Sequence, residues 1–242
     1  MYFKKHFPNF LTLLNLLCGC LALVFISKFD FQTAFCFVAL GIFFDFFDGF
    51  FARKFNVSGP LGLQLDSLAD MVTSGVVPGF LIYTFLSNYY FLGSNSFLPY
   101  CGFVITLGAC YRLANFNIDL RQSENFIGLP TPANTLFFMS LPLISWDKYS
   151  DFIPSNSIFC YAILFLCFLS AYVMNAEIPL FSLKIKNFSL QKYRLQISFL
   201  LISIALIGFF NFFGLALSIL LYVILSVLNN VFFIKKSSAQ KN

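Results

Sequence analysis

The sequence predicts an all-α fold: a polytopic transmembrane helical bundle of about eight spans, with both termini cytoplasmic. Two observations carry this prediction, the composition and the placement of the basic residues. Of the 242 residues, 59% are hydrophobic and 10% are charged, and the mean hydropathy is +0.83. An ordinary soluble domain has about 25% charged residues. The composition therefore excludes a cytosolic enzyme, a disordered chain and a collagen-like chain.

Apolar runs long enough to cross a bilayer recur along the whole chain. They predict helices near 9–27, 32–51, 67–88, 97–116, 133–149, 156–174, 197–213 and 215–234. Prolines precede several of these runs, where their fixed φ suits a helix start, and a tight turn over 211–214 joins the last two. We expect one integral-membrane domain over 1–242, with a catalytic core of about 1–175 and additional C-terminal spans at about 195–235.

The basic residues indicate the orientation. With a cytoplasmic N-terminus, 13 of the 15 Lys and Arg residues fall on inside segments, and only Lys28 and Lys148 fall outside. Cytoplasmic loops are enriched in basic residues, so this asymmetry favours an even number of spans in the inner (cytoplasmic) membrane. The net charge of +5 is explained by topology and by attraction to anionic lipid, and we expect no binding to nucleic acid.

Four of the ten acidic residues, Asp45, Asp48, Asp66 and Asp70, lie within a window of 26 residues. Their i, i+3 and i, i+4 spacings put each pair on one helix face, and the Arg53–Gly62 loop brings the two faces together at the cytoplasmic side. Carboxylates at membrane depth are costly unless cations neutralise them. Oxygen ligands select Mg²⁺, Mn²⁺ or Ca²⁺, and two ions held in this way suit displacement at phosphorus.

Neighbouring residues fit a phosphate ligand. Gly49 and Gly62 leave room for close approach, and Arg53 can bind phosphate through two hydrogen bonds. On the first predicted helix, Thr12 and Asn15 belong to a polar stripe that begins at residue 9. This stripe suits contact with a nucleotide or headgroup, and helix capping or hydrogen bonds between helices explain it about as well.

The pattern Asp45-x2-Asp48-Gly49-x2-Ala52-Arg53-x8-Gly62-x3-Asp66-x3-Asp70 resembles the signature of the CDP-alcohol phosphatidyltransferase family at all eight specified positions. The resemblance implies a helical membrane enzyme, commonly a homodimer, that transfers the phosphatidyl group of a CDP-linked lipid to an alcohol and releases CMP. It implies a centre of two divalent cations, Mg²⁺ or Mn²⁺, on the four aspartates, with Asp70 as the base on the acceptor hydroxyl. It also implies that Asp48, Gly49 and Arg53 contact CDP-diacylglycerol. Ser58 stands beside the position where some relatives carry a further Ser or Thr contact.

Three other stretches indicate the acceptor: Pro8-Asn9-x2-Thr12-x2-Asn15, Arg112-Leu113-Ala114-Asn115-Phe116-Asn117 and Phe126-x-Gly128-Leu129-Pro130-Thr131-Pro132-Ala133. They resemble the integral-membrane phosphatidylserine synthases of bacteria and archaea, with a departure at Asn115, where relatives often have Arg. The resemblance implies L-serine as the acceptor. The carboxylate of L-serine needs a cation, which Arg112 or Arg121 can supply. Both arginines are also explained as basic residues that only mark a cytoplasmic loop.

Two alternatives stay open at this stage. The same chemistry can serve another acceptor, glycerol 3-phosphate or inositol phosphate, although a phosphorylated acceptor should need more cations near the site than this chain offers. A different class of protein, an ion transporter, also uses intramembrane carboxylates. Such a transporter is expected to place acids on several helices in symmetric halves, whereas here the acids lie on two consecutive predicted helices.

Overall fold

The computed structural model is helical throughout the part of the chain that it describes, residues 2–57, 59–87, 97–119, 127–144, 156–180 and 194–239. Within those residues the only strand-like feature is an isolated bridge between Ile127 and Pro179. In chain order the helices are α1 Tyr2–Ser27, α2 Phe31–Phe55, α3 Pro60–Asp70, α4 Val77–Ser87, α5 Val104–Ile118, α6 Thr131–Ser140, α7 Asn156–Asn175 and α8 Arg194–Ala239. Two 3₁₀ turns, Leu98–Phe103 and Leu141–Leu143, precede α5 and follow α6. The all-α prediction is thus confirmed.

Five helical segments of the described residues are long and apolar enough to cross a membrane: His6–Ser27, Phe31–Phe55, Pro60–Ser87, Ile158–Asn175 and Leu195–Asn230. Large apolar side chains such as Phe46, Leu107 and Phe209 point outwards, with 66%, 70% and 83% of their surface exposed. Apolar surface on all sides of a bundle indicates lipid contact. The count of eight spans and the cytoplasmic termini stay predictions.

α8 is two helices joined at a sharp break. Asn211 has φ 51° and ψ −124°, outside the helical region. Beyond it, Gly214 lies against the carbonyl of Leu206, and the rings of Phe199 and Tyr222 are 5.7 Å apart. These contacts are possible only if the chain folds back on itself, so the second half of α8 runs antiparallel to the first, with the turn where the sequence predicts it.

A wide turn, Met71–Val76, joins α3 to α4 without ending the helix. Its π geometry is visible in the amide of Val77, which donates to the carbonyl of Val72, five residues back. The cause is Pro78, which has no amide hydrogen and whose ring would clash with the carbonyl of Ser74 in a regular helix. Widening the helix by one residue removes the clash.

Two apolar clusters hold the bundle together. One, with Ala22, Val38 and Leu81 at its centre, packs α1, α2, α4 and α6. The other, with Ile105 and Phe138 at its centre, packs α4, α5, α6, α7 and α8. α4 and α6 belong to both clusters, so the two halves form one body. The polar side chains gather beyond these clusters, where the start of α1, the end of α2 and the start of α3 meet.

Candidate active site

Three of the four predicted aspartates form a compact cluster. Each of Asp45, Asp48 and Asp66 offers a carboxylate oxygen, and these oxygens lie within 4.8 Å of one another. α2 and α3 return antiparallel, so the i, i+3 pair at the end of α2 faces the start of α3, as the spacing predicts. Asp48 is buried, and Asp45 and Asp66 are half-buried. Three adjacent carboxylates in a partly buried position repel one another unless a cation or a shared proton lies between them.

Asp70 is not one of these three close carboxylates. It lies one helical turn beyond Asp66, and its Oδ1 accepts a hydrogen bond of 3.1 Å from Nδ2 of Asn15 on α1. It also interacts electrostatically with Asp66 and with the buried guanidinium of Arg112 on α5. The position of Asp70 thus differs from that of the other three, and it interacts both with the carboxylate cluster and with the cation of α5.

The polar stripe of α1 contacts both parts of the site. The hydroxyl of Thr12, 3% exposed, donates to Oδ2 of Asp48 over 2.5 Å. Asn15, fully buried, holds Asp70 as described. Hydrogen bonds between helices, one of the interpretations left open by the sequence, therefore account for both residues. Thr12 lines a cavity as well, so contact with a ligand stays compatible with its position.

A cavity of about 200 Å³ opens beside the cluster, between α1, the end of α2 and the start of α3. Among the predicted lipid-nucleotide contacts, it brings together Thr12, Asp48, Gly49 and Arg53. A side chain at Gly49 would lie 3.4 Å from the Arg53 guanidinium, so the glycine leaves space beneath an exposed cation. The cavity combines carboxylates, a cation and open backbone, as a phosphate-bearing ligand requires. Asn15 does not line it, and Ser58 lies outside the described residues.

A second cavity, about 340 Å³, lies between the end of α5 and the end of α7. Arg112 lines it, together with Asn175 and Glu177. Arg112 is 7% exposed, and its Nη1 lies 3.4 Å from the hydroxyl of Thr131. Among the described residues, Nε of Arg112 and Oδ1 of Asn175 have no hydrogen-bond partner. A buried guanidinium with an unpaired N–H calls for an anionic or carbonyl partner. The other predicted acceptor residue, Arg121, lies outside the described residues.

The wall of this second cavity depends on one glycine. Gly128 has φ 75° and lies against the carbonyl of Met174, where any side chain would overlap it. Its amide donates to the carbonyl of Ile178 over 2.9 Å, and the next amide, of Leu129, donates to Val173 over 3.2 Å. The stretch before α6 is thereby tied to the end of α7. The glycine of the Gly-Leu-Pro-Thr-Pro motif is required by this close approach.

The carboxylate cluster suits a hard divalent cation. Its ligand atoms are carboxylate oxygens, with the Thr12 hydroxyl beside them, and no thiol or imidazole of the described residues takes part. Such a set favours Mg²⁺, Mn²⁺ or Ca²⁺ over thiolate-binding metals. The residues present therefore fit the metal dependence that the signature implies.

A sequence profile of the CDP-alcohol phosphatidyltransferase family matches residues 5–228. The chain belongs to this family. It is therefore a membrane enzyme of phospholipid synthesis, as the signature predicts. The CDP-diacylglycerol–serine O-phosphatidyltransferase of Helicobacter pylori (strain J99) is 30% identical to it over 239 residues, covering 98% of this chain and 95% of the relative.

Two further relatives match a little over half of the chain. The CDP-diacylglycerol–serine O-phosphatidyltransferase of Bacillus subtilis (strain 168) is 38% identical over 131 residues, which are 53% of this chain and 70% of the relative. The archaetidylserine synthase of Methanothermobacter thermautotrophicus is 30% identical over 147 residues, covering 60% of each chain.

Several site residues escape sequence analysis. Asn175 and Glu177 join the Arg112 cavity only because α7 ends beside α5. Thr106 and Thr135 reach the wide turn behind Asp70 from two other helices. A single signal points towards that turn, a proline eight residues after Asp70, in the middle of an apolar run.

Proposed function

We propose that this chain transfers the phosphatidyl group of CDP-diacylglycerol to L-serine, giving phosphatidylserine and CMP. The observation that carries the proposal is the Asp45, Asp48 and Asp66 cluster, which borders a cavity of about 200 Å³ in a member of the phosphatidyltransferase family. The relatives support serine as the acceptor, because two of them carry serine transfer in their names.

The reaction exchanges one phosphorus–oxygen bond for another. The serine hydroxyl oxygen attacks the phosphorus that carries diacylglycerol, the bond from that phosphorus to the bridging oxygen breaks, and CMP leaves with the electron pair. A serine hydroxyl is a poor nucleophile near neutral pH, so a positioned base must accept its proton. We assign this role to Asp70, which Asn15 orients through one oxygen and which leaves its other oxygen for the acceptor.

Divalent cations, Mg²⁺ or Mn²⁺ and in our proposal two of them, would be held by Asp45, Asp48 and Asp66, with Asp70 completing the set. When bound, they offset the negative charge of the pyrophosphate and of the departing CMP. Arg53 adds a permanent cation above the glycine of the first cavity. Thr12, through Asp48, keeps one ligand carboxylate in place. We also keep Asn15, through Asp70, and Ser58 among the proposed lipid-nucleotide contacts.

We place L-serine in the second cavity. The buried Arg112 guanidinium, with its unpaired Nε, provides the positive partner for the serine carboxylate. Glu177 adds negative charge on the same cavity wall, which suits the serine ammonium. Arg112 also interacts electrostatically with Asp70, which supports an acceptor site on the side of the proposed base. Arg121 remains a second candidate for the carboxylate.

The decisive experiment measures CMP release from CDP-diacylglycerol by the purified protein with a panel of alcohols: L-serine, glycerol 3-phosphate, inositol phosphate and ethanolamine. We expect release that depends on L-serine. Release with another alcohol alone would refute the serine assignment and leave the family chemistry intact. Ion flux through reconstituted vesicles without CMP release would instead favour the transporter.

A variant tests the assignment of the base. Asp70→Asn keeps the shape of the side chain and the acceptor oxygen for Asn15, but it removes the proton acceptor. We expect turnover to vanish while binding of CDP-diacylglycerol, measured by thermal shift, persists. Unchanged turnover would exclude Asp70 as the base, and an unfolded variant would indicate a structural role.

The setting of the enzyme is also part of the proposal. We propose a multi-pass protein of the inner membrane with the site facing the cytoplasm, acting as a homodimer. Labelling of introduced cysteines in intact and in permeabilised cells tests the orientation, since a site loop is labelled only after permeabilisation. Mass measurement in a defined detergent tests the dimer, and a monomer with full activity would refute it.

A further inference from the structure

We infer that the wide turn Met71–Val76 is a positioning device for Asp70, held in its π geometry by threonine hydroxyls from two neighbouring helices. The inference rests on the proposed role of Asp70 and assigns new positioning residues, Thr106 and Thr135, to the same reaction. Neither touches the carboxylate cluster or lines either cavity. They act through the backbone that carries Asp70.

The wide turn leaves one helical carbonyl without its usual donor. The carbonyl of Ser74 would accept the amide four residues on, but that residue is Pro78, which has no amide hydrogen. The neighbouring carbonyl of Gly75 lies in the same widened segment. Inside a membrane no water replaces the missing donor, so a carbonyl left without one is costly. The turn can persist only if other groups satisfy it.

Two hydroxyls bond to carbonyls of the turn, and one of them supplies the missing donor of Ser74. Oγ1 of Thr135, on α6, lies 3.0 Å from the carbonyl of Ser74. Oγ1 of Thr106, on α5, lies 2.9 Å from the carbonyl of Gly75. The Thr135 hydroxyl also lies 2.9 Å from the carbonyl of Thr131 in its own helix, and its single proton serves one acceptor at a time. The carbonyl of Thr131 can accept the amide four residues on, whereas that of Ser74 cannot, so donation to Ser74 satisfies both carbonyls.

A third hydroxyl links the turn to the site. Thr73, fully buried, donates to the backbone carbonyl of Asn15 over 3.1 Å, and Nδ2 of Asn15 donates to Asp70 over 3.1 Å. α1 can approach this closely because Gly19 faces the turn, where a side chain would lie 3.1 Å from Cα of Thr73. The backbone of the turn and the orientation of Asp70 are therefore connected through two hydrogen bonds.

The geometric consequence is a rotation. One residue corresponds to about 100° around a helix of 3.6 residues per turn. Without the extra residue of the wide turn, the α3 face that carries Asp66 and Asp70 would turn by that angle relative to the packed face of α4. The carboxylate would then leave the partners that it has on α1 and α5.

The test compares variants that separate the hydroxyl from the shape. Thr106→Val and Thr135→Val keep the shape and remove the donor, and Thr106→Ser and Thr135→Ser keep the donor. Because a displacement of about 1 Å can cost about a hundredfold in rate, we expect kcat to fall at least about tenfold in each valine variant with little change in KM for CDP-diacylglycerol. The serine variants should stay within about twofold of the wild type. Ser226→Ala is the control, since it removes a hydroxyl as buried as that of Thr135, which bonds its own helix far along the chain.

A second readout needs no acceptor. The rise in the thermal midpoint with added Mn²⁺ reports the carboxylate site directly, and we expect the half-saturating Mn²⁺ concentration to increase several-fold in the valine variants. If the wild type transfers to no alcohol, the proposed function fails and this titration alone decides the inference. If a valine variant does not fold, Thr135→Cys against Thr135→Ser gives a second pair of similar shape. Valine and serine variants that behave alike in kcat and in the Mn²⁺ titration would overturn the inference.

Discussion

The bond from Thr12 to Asp48 is the most direct test of how α1 supports the carboxylate cluster. The Thr12 hydroxyl has one proton and two acceptors within reach, Oδ2 of Asp48 at 2.5 Å and the carbonyl of Pro8 at 3.1 Å. An ionised carboxylate is the stronger acceptor, and the shorter distance agrees with donation to it. Thr12→Val removes this donor and preserves the buried shape of the side chain.

The size of the effect follows from the type of bond. A hydrogen bond to a charged group contributes about 1.5–3 kcal/mol, and each 1.4 kcal/mol corresponds to a factor of about ten. If the bond holds Asp48 in its working position, kcat/KM for CDP-diacylglycerol should fall by about 10- to 150-fold in Thr12→Val. Asp48 keeps its backbone hydrogen bond at Gly49 and its interaction with Arg53, so the loss should be partial.

The assay measures CMP release at varied CDP-diacylglycerol and Mn²⁺ with saturating serine. Thr12→Ser is the matched control, because it keeps the hydroxyl and loses only a methyl group. We expect it to retain most of the activity. A folded Thr12→Val protein with wild-type kcat/KM would refute the reasoning and would indicate that the hydroxyl serves only its bond to the carbonyl of Pro8 in its own helix.

Three further predictions concern the scaffold. Gly128→Ala, at φ 75°, should lower the thermal midpoint by the equivalent of about 1–3 kcal/mol and weaken serine dependence, since it forces the second cavity apart. Gly214→Ala should destabilise the turn of α8, because a side chain there would overlap the carbonyl of Leu206. Gly208→Ala has open space around it and should be neutral or stabilising. Equal thermal midpoints for the two variants would contradict the helical hairpin. Asp30 caps α2, and the backbone hydrogen bond that its carboxylate accepts lowers its pKa. Asp30→Ala should therefore lose stability near neutral pH. This difference from the wild type should vanish as the pH falls through the lowered pKa of Asp30.

The carboxylate cluster shows how far residue spacing alone can reach. Asp45 and Asp48 are neighbours on one helix face, and a short loop must return the chain at the same depth. The convergence with Asp66 therefore depends only on residues that are close in the sequence, and the structure brings these three aspartates together. The position of Asp70, apart from these three, is set by residues that are distant in the sequence. It depends on Asn15 and Arg112, which lie 55 residues before it and 42 residues after it along the chain.

The residues around Arg112, on the proposed acceptor side of the site, likewise depend on distant parts of the chain. A buried arginine at 112 can be expected to need a partner, but the residues that share its cavity come from the end of α7. Nothing in the spacing of Asn175 or Glu177 predicts this neighbourhood. It results from how α5 and α7 pack, with Gly108 pressed against Ala171. Packing of this kind depends on side-chain shape along two helices, which a single sequence does not reveal.

The sequence by itself determined the membrane setting, the helical class and the acidic signature, because hydropathy, charge placement and spacing at 3.6 residues per turn are properties of neighbouring residues. Only the tertiary structure decided how Asp70 is held. Pro78 leaves the carbonyl of Ser74 without a donor, and the threonines that bond the wide turn lie on α5 and α6. In a membrane every backbone group must be paired within the protein, so this requirement is met across helices that are distant in sequence.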